Sequence, residues 1–226
     1  MSKVTMATLE VRGQTLWLLP QRAVFLPESD TLIVADAEVG ATEESLSVLS
    51  GLVRRLEATR IIFLGDFLRA AHTDPAVMAA VQRWRELHGS IELTLVRSRL
   101  AVRSRVGVEV VEPPVALDIQ SFDEPLMHRG LALCHRPRRM LGSFVLAGHM
   151  LPCVSIGRSH DAKRLPCYWF SPRMGVLPAF GTVTGMQTIR PAKGERIFAS
   201  AADRVFELLP RKKPPDPTPK LLGARS

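Results

Sequence analysis

Cysteine is scarce in this chain, and the few present are scattered. There are three, Cys134, Cys153 and Cys167, and no Cys-x-x-Cys pair. An odd, widely spaced set excludes a disulfide framework and a cysteine-built zinc site, so these residues read as free, mostly buried thiols. Long apolar runs are lacking as well. No stretch approaches the ~18 residues that a helix needs to cross a bilayer. The opening residues, Met1 to Met6, contain no apolar segment of an export signal. The expectation is a cytoplasmic protein with no membrane partner. Internal repeats are also absent. Acidic residues are in deficit, 22 Asp and Glu against 30 Lys and Arg, for a net charge of +8. That balance favours anionic partners such as nucleic acid. Part of the excess sits near the C-terminus, at Arg211, Lys212, Lys213, Lys220 and Arg225.

What is present is enough for one substantial core: 226 residues, 46% of them apolar. The proline-rich basic run that begins at Pro210 cannot join it. The expected organisation is one domain over residues 1–209 and a disordered basic tail over 210–226.

The chain is organised around Thr31-Leu-Ile-Val-Ala-Asp-Ala-Glu-Val-Gly40. An apolar run of strand length ends in Asp36, Glu38 follows two residues later, and then comes a glycine. Open α/β sheets place their ligand sites at such C-terminal strand ends. Arg60-Ile-Ile-Phe-Leu-Gly-Asp66 repeats the arrangement, and Gly142-Ser-Phe-Val-Leu-Ala-Gly-His149 ends a third apolar run in a histidine. A fourth, Leu131-Ala-Leu-Cys134, leads into His135.

The connecting segments suit this scheme. Residues 7–26 alternate loosely and read as short antiparallel edge strands. Residues 42–58 form an amphipathic helix with Leu46, Leu49, Val53 and Leu56 on one face. The strand ending at Asp66 follows, so this is a βαβ unit with parallel pairing. A second helix opens at Asp74-Pro75 and buries Val77, Val81 and Trp84, with His88 packed at its end before Gly89. Residues 91–96 and 106–111 read as strands, 113–130 as an edge segment with turns, 164–184 as a hairpin on a second sheet, and 204–209 as a last short strand or helical turn.

Asp36, Glu38, Asp66, His135 and His149 mix carboxylate and imidazole donors. That mixture suits a divalent transition metal such as Mn, Fe, Zn or Ni better than Ca or Mg. Two such ions ~4 Å apart would clamp the oxygens of an in-line phosphoryl displacement. Arg97, Arg99 and Arg136 are candidates to hold phosphate oxygens beside them.

These strand ends resemble the calcineurin-like metallophosphoesterases, whose pattern runs Asp-x-His, Gly-Asp, Gly-Asn-His-Asp/Glu, a single His, and Gly-His-x-His. Leu165-Pro-Cys-Tyr-Trp-Phe170 and Leu177-Pro-Ala-Phe-Gly-Thr-Val-Thr-Gly185 resemble more narrowly the bacterial DNA ligase-associated branch. The resemblance runs from about residue 8 to residue 209 and implies an α/β fold, a four-layer αββα sandwich with mixed sheets. It implies that Asp36 is the first aspartate ligand, Asp66 the carboxylate that bridges two metals, and His135 and His149 further ligands. It also implies metal-dependent phosphodiester hydrolysis, with manganese the foremost metal, and DNA ligase and helicase partners in repair.

The departures are as specific. Glu38 stands in place of a histidine, Ser98-Arg-Leu-Ala101 in place of Gly-Asn-His-Asp, and Leu151 in place of the final histidine. The position of the general-acid histidine is therefore taken by Leu100, and two ligand positions by Arg99 and Leu151. One metal site is favoured over two. The competing expectation is a non-catalytic member of the fold, without metal, that binds DNA or repair partners. In it Arg99 neutralises Asp36, Glu38 and Asp66 in an ionic network. A missing general acid typically costs about 10²–10⁴ in rate. Restoring Arg99→Asn, Leu100→His, Ala101→Asp and Leu151→His together is therefore expected to raise turnover of a nitrophenyl phosphodiester by about 10²-fold or more. An unchanged rate would contradict this account of the departures.

Overall fold

Thr31–Ala35 is buried along its whole length, and alternate side chains enter different cores. Leu32 and Val34 pack toward the helices, whereas Ile33 and Ala35 pack toward a second sheet. The next two strands divide in the same way, Ile61, Phe63, Leu93 and Leu95 to one side and Ile62, Leu64 and Val96 to the other. Successive side chains on a strand point to opposite faces, so continuous apolar runs mark strands covered on both sides.

The structure is a computed structural model that describes residues 5–37, 43–67, 74–98, 114–157, 162–181 and 185–208. The chain begins with β1 (Ala7–Val11), β2 (Gln14–Leu18), β3 (Ala23–Leu26) and β4 (Thr31–Ala35), followed by α1 (Glu43–Leu56), β5 (Arg60–Leu64), α2 (Pro75–Leu87), β6 (Glu92–Arg97) and β7 (Ile119–Asp123). These seven strands form one sheet in sequence order. The first four pair antiparallel, and β4 to β7 pair parallel.

The second half supplies β8 (Leu126–His128), β9 (Leu131–Cys134), β10 (Phe144–Ala147), β11 (Pro152–Ile156), β12 (Lys163–Ser171), β13 (Met174–Val176), β14 (Gln187–Thr188), β15 (Arg196–Ser200) and β16 (Val205–Leu208). They form a second mixed sheet in the order β14-β11-β12-β13-β10-β9-β8, with β15 beside β12 and β16 beside β15. β9, β10 and β13 are mutually parallel neighbours in its centre.

Both helices cover the outer face of the first sheet. Leu46, Leu49, Leu52 and Val53 of α1 and Val81 and Trp84 of α2 share a core with it. Asp74 caps α2 by accepting the Ala76 N–H at 2.8 Å, with Pro75 at the first helical position. At the far end the His88 ring nitrogen lies 2.8 Å from Ser50 Oγ, which also accepts the Trp84 indole N–H at 2.9 Å. His88 is thus the packed helix-end residue that the sequence suggested. Leu133, Leu146, Tyr168 and Phe198 of the second sheet meet the inner face of the first. Among the described residues the layers are helices, sheet and sheet, and no helix covers the outer face of the second sheet. None of the helices is long and apolar enough to cross a membrane.

The short antiparallel strands expected over residues 7–26 are present as β1, β2 and β3, and the edge segment expected over 113–130 holds β7 and β8, which end the strand orders of the two sheets. β11 and β15 were not anticipated. Their apolar runs, such as Ile197-Phe-Ala199, are too short to signal a strand until neighbouring strands supply hydrogen bonds. The hairpin over 164–184 is present as β12 and β13, and the last short strand as β16. The three cysteines are free and buried. The strand expected over 106–111 and the tail over 210–226 lie outside the described residues.

Tyr168 ties the sheets together. It is fully buried, and its hydroxyl lies 2.7 Å from the Leu19 carbonyl and 2.8 Å from the Ala23 carbonyl. Burial raises its pKa well above the ordinary phenol value, so the proton stays in place to be donated. Tyr168→Phe keeps the ring and removes the donor. It is expected to lower stability by about 1–2 kcal/mol in urea unfolding, and an unchanged midpoint would show that the hydroxyl contributes nothing.

Candidate functional site

The two pairs of parallel strands end at the same edge of the sandwich. In the first sheet Ala35 pairs with Leu64, so Asp36 and Gly65-Asp66 emerge side by side. In the second, Ala147 pairs with Cys134, so His135 and Gly148-His149 emerge side by side. Main-chain bonds prolong both ladders by a residue: Asp36 N to Leu64 O at 3.1 Å, Gly65 N to Val96 O at 2.9 Å, and Gly148 N to His135 O at 3.1 Å.

The Asp36 carboxylate is where the sheets meet. One oxygen lies 3.2 Å from Nε2 of His135, and the other accepts the main-chain N–H of His149 at 2.6 Å. Asp36 and His135 are both buried, and the two histidine rings meet edge to face with centroids 4.9 Å apart. Asp36, His149 and Leu151 all have left-handed backbone, with φ of 43°, 71° and 48°. Such conformations cost on the order of 1–2 kcal/mol each for residues with a Cβ, and they gather at sites where geometry matters more than stability.

Two glycines allow this approach. A Cβ at Gly65 would lie 2.2 Å from Cδ2 of His135, and one at Gly148 would lie 2.8 Å from both the Ala35 Cβ and an Asp36 carboxylate oxygen. Partial burial holds the His149 pKa below the ordinary imidazole value. The neighbouring His135 and the Arg136 guanidinium act in the same direction, while Asp36 and Asp66 oppose them. The neutral ring that results is the form able to bind a metal. Asp66 is half-buried one residue beyond Gly65.

The donors can be tested against a metal. Two ligands of one transition-metal ion, each ~2.1 Å from it, sit ~3.0–3.4 Å apart at octahedral to tetrahedral angles. The 3.2 Å between Asp36 and His135 fits two donors on one ion, and it equally suits their direct hydrogen bond. Among the described residues no three His, Cys, Asp or Glu side chains form a metal-holding group. Asp36 and His135 are therefore spaced as two donors of one ion would be. Glu38 and Arg99 lie outside the described residues.

The other arginines are placed differently. Arg97 is the register partner of Asp123 across β6 and β7, with its Nε 3.2 Å from that carboxylate. Arg136 follows His135, and its main-chain N–H donates to Glu124 at 2.9 Å. Arg22 was not anticipated. Its guanidinium donates to the Gly181 carbonyl and borders a small cavity with Leu151, Pro178 and Ala179. Burial lowers its pKa. Nothing in the local sequence marks this arginine, because only the tertiary fold brings residue 22 to residue 151.

The segment from Leu177 to Phe180 straps the two strand ends together. Leu177 N donates to Ala147 O at 2.8 Å, at the end of β10, and Phe180 N donates to Ala35 O at 2.8 Å, at the end of β4. Leu177 then enters the core between the sheets and Phe180 the core under the helices.

With this geometry in view, the chain can be compared with known proteins. Among solved structures it is similar to Pseudomonas putida nuclease MPE, with a TM-score of 0.78 and 35% identity over 90% of this chain and 100% of that one. The chain belongs to the family of that nuclease. No family model matches it, and no curated protein does. The match to nuclease MPE covers the full length of that neighbour.

Gly65→Ala tests the closeness of the site. With φ at +87° and a ring 2.2 Å away, it is expected to cost about 2 kcal/mol or more in urea unfolding and to shift the His135 ring resonances. Gly13→Ala shares the positive φ with nothing within 4 Å, and should cost about 1 kcal/mol. Equal losses at the two positions would argue against the Gly65–His135 contact.

Proposed function

We propose that this protein is a metal-dependent phosphodiesterase that acts on nucleic acid, with activity weakened relative to a full metallophosphoesterase. The observation that carries the reading is the meeting of Asp36 with His135 and His149 at the strand ends of a chain that spans the whole of a nuclease at 35% identity. The reading includes the calcineurin-like assignment and its four-layer αββα form, of which the described residues supply three layers. It also includes the ligase-associated branch, with DNA ligase and helicase as repair partners and a cytoplasmic setting.

Asp36 and His135 would hold one divalent transition metal, manganese foremost, with the His149 ring, Asp66 and Glu38 as further donors that close on it when it binds. Such an ion, when bound, polarises a phosphoryl oxygen and lowers the pKa of a bound water. The protein's own part is positional. The buried Asp36 is fixed from both oxygens, which orients it toward His135 and His149. Arg136 lies close enough to influence His149 and would pair with a substrate oxyanion there. Arg97 would have to leave Asp123 to do the same, and Arg99 remains a candidate from sequence alone. Leu100 and Leu151 supply no proton and no ligand, which is the chemical reason for expecting weak turnover.

A second reading is a non-catalytic binder of DNA or repair partners. It is favoured by Leu151, which places an apolar, half-buried side chain two residues beyond His149.

Elemental analysis of protein purified in manganese separates the two, together with hydrolysis of bis(4-nitrophenyl) phosphate and of single-stranded DNA. The catalytic reading expects about one ion per chain, with Asp36→Asn lowering both metal content and rate, the rate by about 10²-fold or more. Metal-free, inactive protein that still binds DNA in a salt-sensitive way would support the second reading. Protein that neither hydrolyses nor binds DNA would refute both.

A further inference from the structure

Buried guanidinium donors normally find acceptors, because an unsatisfied buried N–H keeps its full desolvation cost. Four buried side-chain polar atoms lack a partner among the described residues, and three belong to one short segment: Nε of Arg136, and Nε and Nη2 of Arg138. This segment directly follows His135. The Arg138 guanidinium is close enough to Cys134, the last residue of β9, to oppose the rise that burial gives the thiol pKa. The acid at hand, Glu124, accepts the main-chain N–H of Arg136 through Oε2 and forms no ion pair with either guanidinium. Two permanent positive charges therefore sit on the segment that follows His135, with N–H groups that meet no acceptor among the described residues. A water molecule could accept from them, but it would leave both charges uncompensated.

We infer that Arg136 and Arg138 together form an anion subsite beside the metal donors and that its ligand is a phosphate group, with Arg138 a binding residue that no sequence motif singled out. The inference rests on the phosphodiesterase reading for the identity of the substrate. The chemistry suits the assignment: a tetrahedral oxyanion presents several acceptors, and a guanidinium presents a planar fork of donors that pairs with two of them. The ligand phosphate has three sources, an internal backbone phosphodiester, a terminal phosphomonoester or free inorganic phosphate.

The test uses the full chain stripped of metal, so that binding is read apart from catalysis. Inorganic phosphate titrated into this protein is expected to raise its melting temperature. Arg138→Gln should weaken phosphate affinity about tenfold or more. Arg138→Lys, which keeps the charge and loses the fork, should fall between, and Arg139→Gln, at an exposed neighbour, should behave as the parent does. Fluorescence anisotropy with 5′-phosphorylated and 5′-hydroxyl single-stranded DNA identifies the source. An equal loss on both with Arg138→Gln assigns an internal phosphodiester, and a loss confined to the phosphorylated strand assigns a terminal phosphate. A loss of inorganic phosphate binding alone, with both strands unaffected, assigns free phosphate. Unchanged affinity for phosphate and for both strands, in Arg138→Gln protein whose circular dichroism matches the parent's, would overturn the inference. If phosphate binds as described while manganese-loaded protein hydrolyses nothing, the phosphodiesterase reading fails and the subsite stands.

Discussion

One carboxylate joins the two halves of this molecule. Asp36 belongs to the first sheet, and both groups it engages, the His135 ring and the main-chain N–H of His149, belong to the second. Everything around it serves that contact. Parallel register brings each pair of strand ends level, Gly65 and Gly148 remove the Cβ atoms that would hold the sheets apart, and the Leu177–Phe180 strap hydrogen-bonds both ends. The left-handed backbone at Asp36, His149 and Leu151 opposes folding locally. The core packed between the sheets outweighs it, since each fully buried large apolar side chain contributes about 1.5–3 kcal/mol.

The electrostatic layout follows from the same convergence. Acid and imidazole donors lie at the centre, Arg136 follows His135 directly, and Arg97 ends β6 beside the strand that leads to Asp66. Arg97 has its carboxylate in Asp123, and Arg22 has a carbonyl. Among the described residues, the guanidinium groups of Arg136 and Arg138 have no acid of their own.

The scaffold does not depend on a polar side chain at position 151. Leu151 takes a position where the resemblance implies a ligand, yet β10 and the following turn still deliver His149 to Asp36. The fold depends on apolar strands and glycines, and the catalytic complement depends on a few side chains in loops. The two can therefore change separately, and family membership establishes the first more firmly than the second.

The sequence by itself determined the elements whose signal is local. Continuous apolar runs marked β4, β5, β9 and β10, the 3.6-residue period marked α1 and α2, and Asp74-Pro75 marked a helix start. The same runs ended in Asp36, Asp66, His135 and His149, so most of the candidate site was legible as a set of strand ends. Tertiary structure alone decided which of these residues touch. It made Asp36 the shared partner of both histidines, paired Arg97 with Asp123, carried Arg22 to Leu151 and left Arg136 and Arg138 donors without an acceptor among the described residues. It also decided that β7, β11 and β15 are strands. Short apolar segments acquire that state only when neighbouring strands offer hydrogen bonds, and contacts between residues far apart in the chain have no local sequence signature. Packing two sheets face to face creates both.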